Sequence, residues 1–278
     1  MVTLTVGARH GTVVAMRHRH AILAAFALSA VLALMFAGRV HGADPSRWTP
    51  QPGDTWQYQL SGAIDVGVVA DVFDVDAFTT RGATVTRLHR LGRHAVCYID
   101  AGSWEPYRPD AGQFPASVLG RRVAGWPDER WLDIRRLDVL KPIMWGRLDR
   151  CVAKGFDGVE LDWIDSYQFD TGFPLTRADQ LRYDRWLARA AHDRGLAVGL
   201  KNGLELVRAL VGVYDFAVNE QCFQYRECGR YRPFLDAGKA VLNVEYELAR
   251  SQFCPRARTL GISAIRKRID LRAWRRPC

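Results

Sequence analysis

The stretch GFDGVELDWIDSY, residues 155–167, sets four carboxylates, Asp157, Glu160, Asp162 and Asp165, among side chains that belong in a core: Val159, Leu161, Trp163 and Ile164. Side chains alternate along a strand, so Val159, Leu161 and Trp163 share one face while Glu160 and Asp162 share the other. Other apolar runs also end in polar groups: Asp100 in HAVCYIDAG, Asn202 in AVGLKN, Glu220 in FAVNEQC and Glu245 in AVLNVEY. Tyr98 falls on the face of Asp100, and Asn243 on that of Glu245. In a parallel barrel every strand ends on the same rim, so acids far apart in sequence are expected to meet in one pocket. Like charges gathered in a site are costly without a purpose. Carboxylates with few histidines suit glycoside hydrolysis, which needs one ionised carboxylate and one carboxylic acid flanking the bond.

Structural readings compete residue by residue. Asp157 precedes its strand and can form a turn, and Asp165 can cap a loop. Trp104, Trp126 and Trp163 serve either as sugar platforms or as ordinary packing. Other chemistries lack their signatures: GxSxG, HExxH, a P-loop and GxGxxG are all absent.

Elements that position these groups follow from the hydrophobic pattern. Strands are expected at 56–62, 72–78, 94–102, 130–134, 158–164, 197–202, 216–222, 240–246 and 262–267, and helices at 79–91, 137–153, 176–194 and 251–259. Thr176 with Asp179 makes an N-terminal capping box, and Gly195 stops the helix that follows. Strands alternating with helices predict an α/β fold, a single-domain (β/α)8 TIM-type barrel, with an open doubly wound sheet as the alternative. Residues 102–130, rich in Gly, Pro and Trp, read as a long loop over the strand ends.

Residues 1–43 read as a secretory signal peptide: Arg9, Arg17 and Arg19, then an apolar run at 21–38, then small residues at Gly42 and Ala43. The run is long enough for an uncleaved membrane anchor as well. The chain carries 39 Lys and Arg against 30 Asp and Glu, and four of those Arg lie before residue 44, so residues 44–278 carry a net charge of +5. Without a Lys/Arg block, this reads as a solvated surface and not as a nucleic-acid interface.

Six cysteines, an even count in an exported chain, point to disulfides. Cys222 and Cys228 are spaced for a small loop. Cys254 and Cys278 are placed to tie down the C-terminus. Cys97, opposite Tyr98 and Asp100, faces the helical layer, where Cys151 near a helix end can meet it. Zinc is the weaker reading: there is no CxxC, and His89, His94 and His192 are the only histidines after residue 43.

The motifs WQYQLSGAID (56–65), VCYIDAGSWEPYRPD (96–110), GWPDERWLDIR (125–135), KGFDGVELDWID (154–165), TGFPLT (171–176), GLKN (199–202), NEQCFQYREC (219–228) and KAVLNVEY (239–246) together resemble glycoside hydrolase family 114, the endo-α-1,4-polygalactosaminidase-like proteins. The resemblance covers nearly all of residues 48–278. It implies a (β/α)8 catalytic domain over 44–278 that cleaves within chains of α-1,4-linked galactosamine. It places the acidic pair on Asp162 and Glu220, assigned as nucleophile and general acid/base by analogy with other α-acting barrel glycosidases. Substrate contacts are expected from Asp65, Tyr98, Asp100, Glu105, Glu160, Asp165, Lys201, Asn202, Glu245 and Tyr246. No metal or cofactor is called for. The expected partner is a galactosamine-rich polysaccharide, met by a secreted monomer with no nucleic acid and no stable membrane contact once the leader is removed. Trp163 departs from the Asn the resemblance leads one to expect. The positive net charge opposes a polycationic substrate at long range, although salt screens beyond about 8 Å. Competing readings are a non-catalytic carbohydrate-binding barrel, a hydrolase of another α-linked polysaccharide and a membrane-tethered structural protein.

Overall fold

A computed structural model describes residues 47–278. The expected leader, 1–43, lies outside the described residues. In chain order the strands are β1 Trp56–Gln59, β2 Val72–Asp76, β3 His94–Asp100, β4 Ser103–Trp104, β5 Leu119–Val123, β6 Trp126–Leu132, β7 Gly158–Asp162, β8 Ala197–Lys201, β9 Phe216–Glu220, β10 Val241–Glu245, β11 Ser263–Arg266 and β12 Arg276–Pro277. The helices are α1 Gly82–Arg90, α2 Leu137–Lys154, α3 Arg177–His192, α4 Val207–Leu210, α5 Arg232–Asp236 and α6 Arg250–Leu260.

One curled sheet runs β1-β2-β3-β7-β8-β9-β10-β11-β12, parallel throughout except for the final antiparallel pair. Its curl brings β11 back beside β1. There the Trp56 indole N–H donates to the Ser263 carbonyl at 2.9 Å, and Lys267 Nζ donates to Gln57 Oε1 at 3.1 Å. This is the (β/α)8 type. Strand alternation splits the apolar residues into two cores. Trp56, Tyr58, Val72, Val96, Phe216, Val218, Leu242 and Val244 fill the interior. Gly199 is small because a Cβ there would stand 2.5 Å from the Phe216 ring, which occupies the barrel axis in its place. Val75, Cys97, Val159, Leu161 and Leu200 face outward onto Leu88, Leu148 and Leu187 of the helices. Each such side chain contributes about 1.5–3 kcal/mol by leaving water.

The expected capping box is present: Asp179 N–H donates to Thr176 Oγ1 at 3.1 Å, and Thr176 N–H to Asp179 Oδ2 at 3.0 Å. Gly155, at φ 84°, ends α2 in the left-handed conformation that glycine tolerates. All three cysteine pairings form: Cys97–Cys151 ties β3 to α2, Cys222–Cys228 closes the loop after β9, and Cys254–Cys278 pins the tail to α6.

Two expectations need correction. The run at 130–134 is not a barrel strand. It belongs to β6, which pairs antiparallel with β4 and β5 in a separate three-stranded sheet. Residues 102–130 therefore form an ordered platform instead of a plain loop. Its apolar residues pack inward, where Trp131 and Leu132 are buried, and that burial mimicked a core strand.

Three successive strands end in the same manner. Trp163, Asn202 and Gln221 directly follow the last residues of β7, β8 and β9, and all three are left-handed, at φ 54°, 47° and 62°. Asn tolerates that conformation, whereas Trp and Gln bear a cost of about 1–2 kcal/mol each. The chain thus turns sharply just beyond Asp162, Lys201 and Glu220.

Candidate active site

Those three residues meet at the C-terminal mouth of the barrel. Lys201 Nζ lies 3.4 Å from Asp162 Oδ1 and 3.4 Å from Glu220 Oε2. The two carboxylate oxygens are therefore no further apart than twice that distance. That ceiling takes in the roughly 5–5.5 Å of retaining enzymes and the lower end of the roughly 6.5–9.5 Å of inverting ones, so the two carboxyl groups are close enough to act on one linkage. The Asp162 side chain is 17% exposed and that of Glu220 28%, so both reach solvent, while Lys201 beneath them is at 1%.

Each acid is held by further donors. Asp162 Oδ2 accepts from Tyr98 Oη at 2.7 Å, and Oδ1 accepts from the Trp163 amide at 2.9 Å. Tyr246 Oη donates to Glu220 Oε1. Asn202 Oδ1 accepts the Glu220 amide at 3.0 Å and so fixes the end of β9. Burial and the Asp162 charge push the Tyr98 hydroxyl well up, and burial and the Glu220 charge do the same to Tyr246. Both hydroxyls therefore stay protonated and donate to their carboxylates.

Below the mouth lies a sealed charge layer. Lys201 Nζ is 3.0 Å from Glu160 Oε1, and the Glu160 side chain is 0% exposed. The Lys201 ammonium also lies 3.0 Å from Tyr58 Oη. Burial alone would lower Lys201, but Asp162, Glu160 and Glu220 outweigh it and hold the amine well above its ordinary value. Asp74, wholly buried, and Glu160 Oε2 would both be unsatisfied if both groups were carboxylates. Burial and the Glu160 charge push Asp74 well up, so it keeps its proton and donates to Glu160.

The other expected contact residues divide. Asp165 is half-buried beside the mouth, and burial together with the Asp162 charge raises it to about 6. Asp100 is buried: it accepts from the Gly102 and Ser103 amides at 3.0 and 2.7 Å and shapes the turn into β4. Gly102 must be glycine, since a Cβ there would stand 1.9 Å from the Trp163 carbonyl. Glu105 is buried in ion pairing with Arg108 at 2.7 Å. Asp65 is exposed and closes its own turn, accepting the Gly67 amide at 2.9 Å. Glu245 does not rise at the mouth. The β9–β10 register pairs Glu220 with Val244, so Val244 points inward and Glu245 outward, where it accepts the Phe223 amide at 2.9 Å. Trp163 leans edge-on against Trp131, with ring centroids 4.8 Å apart, and Phe169 completes the aromatic cluster.

Tyr58, Asp74 and Glu129 were missed. Alternation alone places Tyr58 and Asp74 on the inner faces of β1 and β2, and that signal was available. Glu129 had none, because β6 joins the platform only through tertiary pairing. Among the described residues, no group of three or more His, Cys, Asp or Glu is arranged to hold a metal ion, and no helix is long and apolar enough to cross a membrane.

Residues 38–278 match the profile of glycoside-hydrolase family GH114. The chain belongs to this family. Aspergillus fumigatus Ega3, solved in complex with galactosamine, superposes with a TM-score of 0.81 at 36% identity, over 87% of this chain and 100% of that one. An uncharacterized protein of Deinococcus radiodurans is 32% identical over 205 residues, covering 64% of this chain and 64% of its own length. The match thus spans less than two thirds of that relative's length. The glycoside hydrolase domain of PelA from Pseudomonas aeruginosa shares the fold, with a TM-score of 0.66 at 17% identity over 79% of this chain and 96% of that one. Against the GH114 background, the acids in ELDWID and NEQC are those the barrel brings to one lysine.

Proposed function

We propose that this GH114 protein is an endo-acting glycosidase that cleaves α-1,4-linked galactosamine polymer outside the cell, with Asp162 as nucleophile and Glu220 as general acid/base. The carrying observation is the shared 3.4 Å contact of both acids with Lys201 at an open mouth. The galactosamine bound in the Ega3 complex supports the substrate class. Three disulfides suit an oxidising compartment, and the basic and apolar leader suits export.

The proposed roles give a two-step route. Asp162 Oδ1 accepts from Trp163 and faces Lys201, while Oδ2 accepts only from Tyr98 and keeps its second lone pair for attack on the anomeric carbon. As the glycosidic bond breaks, Glu220 gives its proton to the departing oxygen. Asp162 loses its negative charge to the ester while Glu220 gains one, so the net charge around Lys201 stays constant. In the second step Glu220 takes a proton from water, whose oxygen displaces Asp162 and restores both acids. Each carboxyl group works by acid–base or covalent catalysis in the manner expected of retaining enzymes.

The test is digestion of de-N-acetylated α-1,4-polygalactosamine by residues 44–278, with product sizes followed by mass spectrometry. Short oligomers from the wild type, lost in both Asp162→Asn and Glu220→Gln, support the reading. Absence of wild-type release sinks it.

A further inference from the structure

The two sides of the carboxylate pair differ in charge. Strand order places β3 and the three-stranded platform on the Asp162 side, and β10 and β11 on the Glu220 side. The first side is acidic. Glu129 of β6 is buried there, accepting from Ser103 Oγ at 2.9 Å, and the Tyr107 hydroxyl lies 3.2 Å from Glu129 Oε1 and 2.9 Å from Glu105 Oε1.

On the second side a cleft arm of ≈ 650 Å³ begins at Gln221 and Tyr246 and is lined by Glu247, Arg266, Arg268 and Trp274. It is basic. Arg268 stands 5.0 Å from the Trp274 ring centroid, so a cation and an aromatic face are presented together. Arg266 uses only Nη2, which meets the Glu247 carbonyl at 3.4 Å, and its buried Nε–H has no acceptor. Glu247 is the one carboxylate of the lining, and it is engaged by Gln224 Nε2 at 2.6 Å. Ile269, 72% exposed, adds an apolar edge.

We infer that the β10–β11 arm is a subsite for an uncharged N-acetylated hexosamine on the leaving-group side, so that the enzyme cuts where a free-amine unit is followed by an acetylated one. The inference rests on the roles proposed above, because Glu220 marks the leaving-group side and Asp162 the glycone side. A free-amine sugar in this arm sets an ammonium against two guanidinium groups within the screening length of about 8 Å. An acetamide removes that repulsion. Its carbonyl oxygen accepts from a guanidinium N–H of Arg266 or Arg268, and its methyl group meets Ile269 and Trp274. The Asp162 side has the opposite preference, since the carboxyl groups of Asp162 and Asp165 stand there in place of guanidinium groups. The asymmetry also accounts for how a chain of positive net charge can process an amino-sugar polymer: the attraction is confined to one side.

Partially N-acetylated α-1,4-polygalactosamine tests this. The sugars at both new chain ends are identified by mass spectrometry after limited digestion. New non-reducing ends are expected to be enriched in acetylated units by about threefold over their share in the polymer, the size a few exposed charge contacts support. New reducing ends should carry free amines. The double variant Arg266→Gln/Arg268→Glu should bring the enrichment at the non-reducing ends to chance. Chance composition in the wild type, or an enrichment the double variant leaves intact, overturns the subsite. If the wild type cuts no galactosamine polymer, the catalytic reading falls separately. The subsite is then decided by titrating acetylated and free-amine tetramers: tighter binding of the acetylated form, lost in the double variant, supports it, and equal binding refutes it.

Discussion

Lys201 and Glu160 form a 3.0 Å ion pair in which neither side chain is more than 1% exposed. A buried pair of this kind costs much to break and little to replace as a whole. Lys201→Met is therefore expected to destabilise the fold by about 3–5 kcal/mol, because Glu160 is left buried without its cation. Lys201→Met/Glu160→Gln should regain most of that stability and remain inactive, since Asp162 and Glu220 lose their shared cation. Urea unfolding and polymer digestion on the same samples separate the two effects. A double variant as unstable as the single one contradicts this account.

The roles of the two acids are separable. Asp162→Ala and Glu220→Ala should each lower kcat by about a thousandfold or more. With azide added, a retaining mechanism gives α-linked glycosyl azide from the Glu220 variant and β-linked azide from the Asp162 variant. Nuclear magnetic resonance of the products reads the linkage. The reverse pattern exchanges the roles.

Asp165 makes stability depend on pH with a defined sign. Its carboxyl titrates near 3.8 in an ordinary environment and at about 6 in the fold. Between those values the folded chain holds a proton that the unfolded chain has released, so stability falls as pH rises from about 4 to about 6. Asp165→Asn cannot ionise and escapes that loss. Relative to wild type it should gain about 1–3 kcal/mol above pH 6, and nothing below about pH 3.5. Equal gains at both ends of the range would remove this explanation.

The disulfides should differ in what they protect. Cys97–Cys151 closes a separation of 54 residues between two wholly buried side chains. Its double replacement by Ala is expected to cost about 4 kcal/mol. Cys222–Cys228 spans 6 residues, and Cys222 N–H donates to Asn219 Oδ1 at 3.0 Å, two residues from Glu220. Replacing that pair should cost only about 2 kcal/mol and lower kcat more than the first. Thermal unfolding and initial rates, measured together, check the contrast.

The barrel was legible because its strands are apolar, short and regularly separated, and because alternation is a strict geometric rule. The same rule placed Cys97 against Cys151. It misled at Glu245, where the face was read correctly as shared with Asn243 but not as outward: orientation comes from the pairing of Glu220 with Val244, which no single strand contains. The run containing Trp131 and Leu132 read as a barrel strand because burial under a platform and burial in a barrel look alike in sequence. From sequence Lys201 is expected only as a substrate contact. Its standing between three carboxylates depends on β7, β8 and β9 lying side by side, and the sheet supplies that information.

The left-handed backbone at Trp163, Asn202 and Gln221 has an evolutionary consequence. A search for heat-tolerant variants will find easy gains at 163 and 221, where Asn or Gly relaxes the main chain. Those gains will loosen the grip on the neighbouring acids, so turnover should decline as endurance rises. Selection for hardiness and selection for speed are set against each other at the same two addresses.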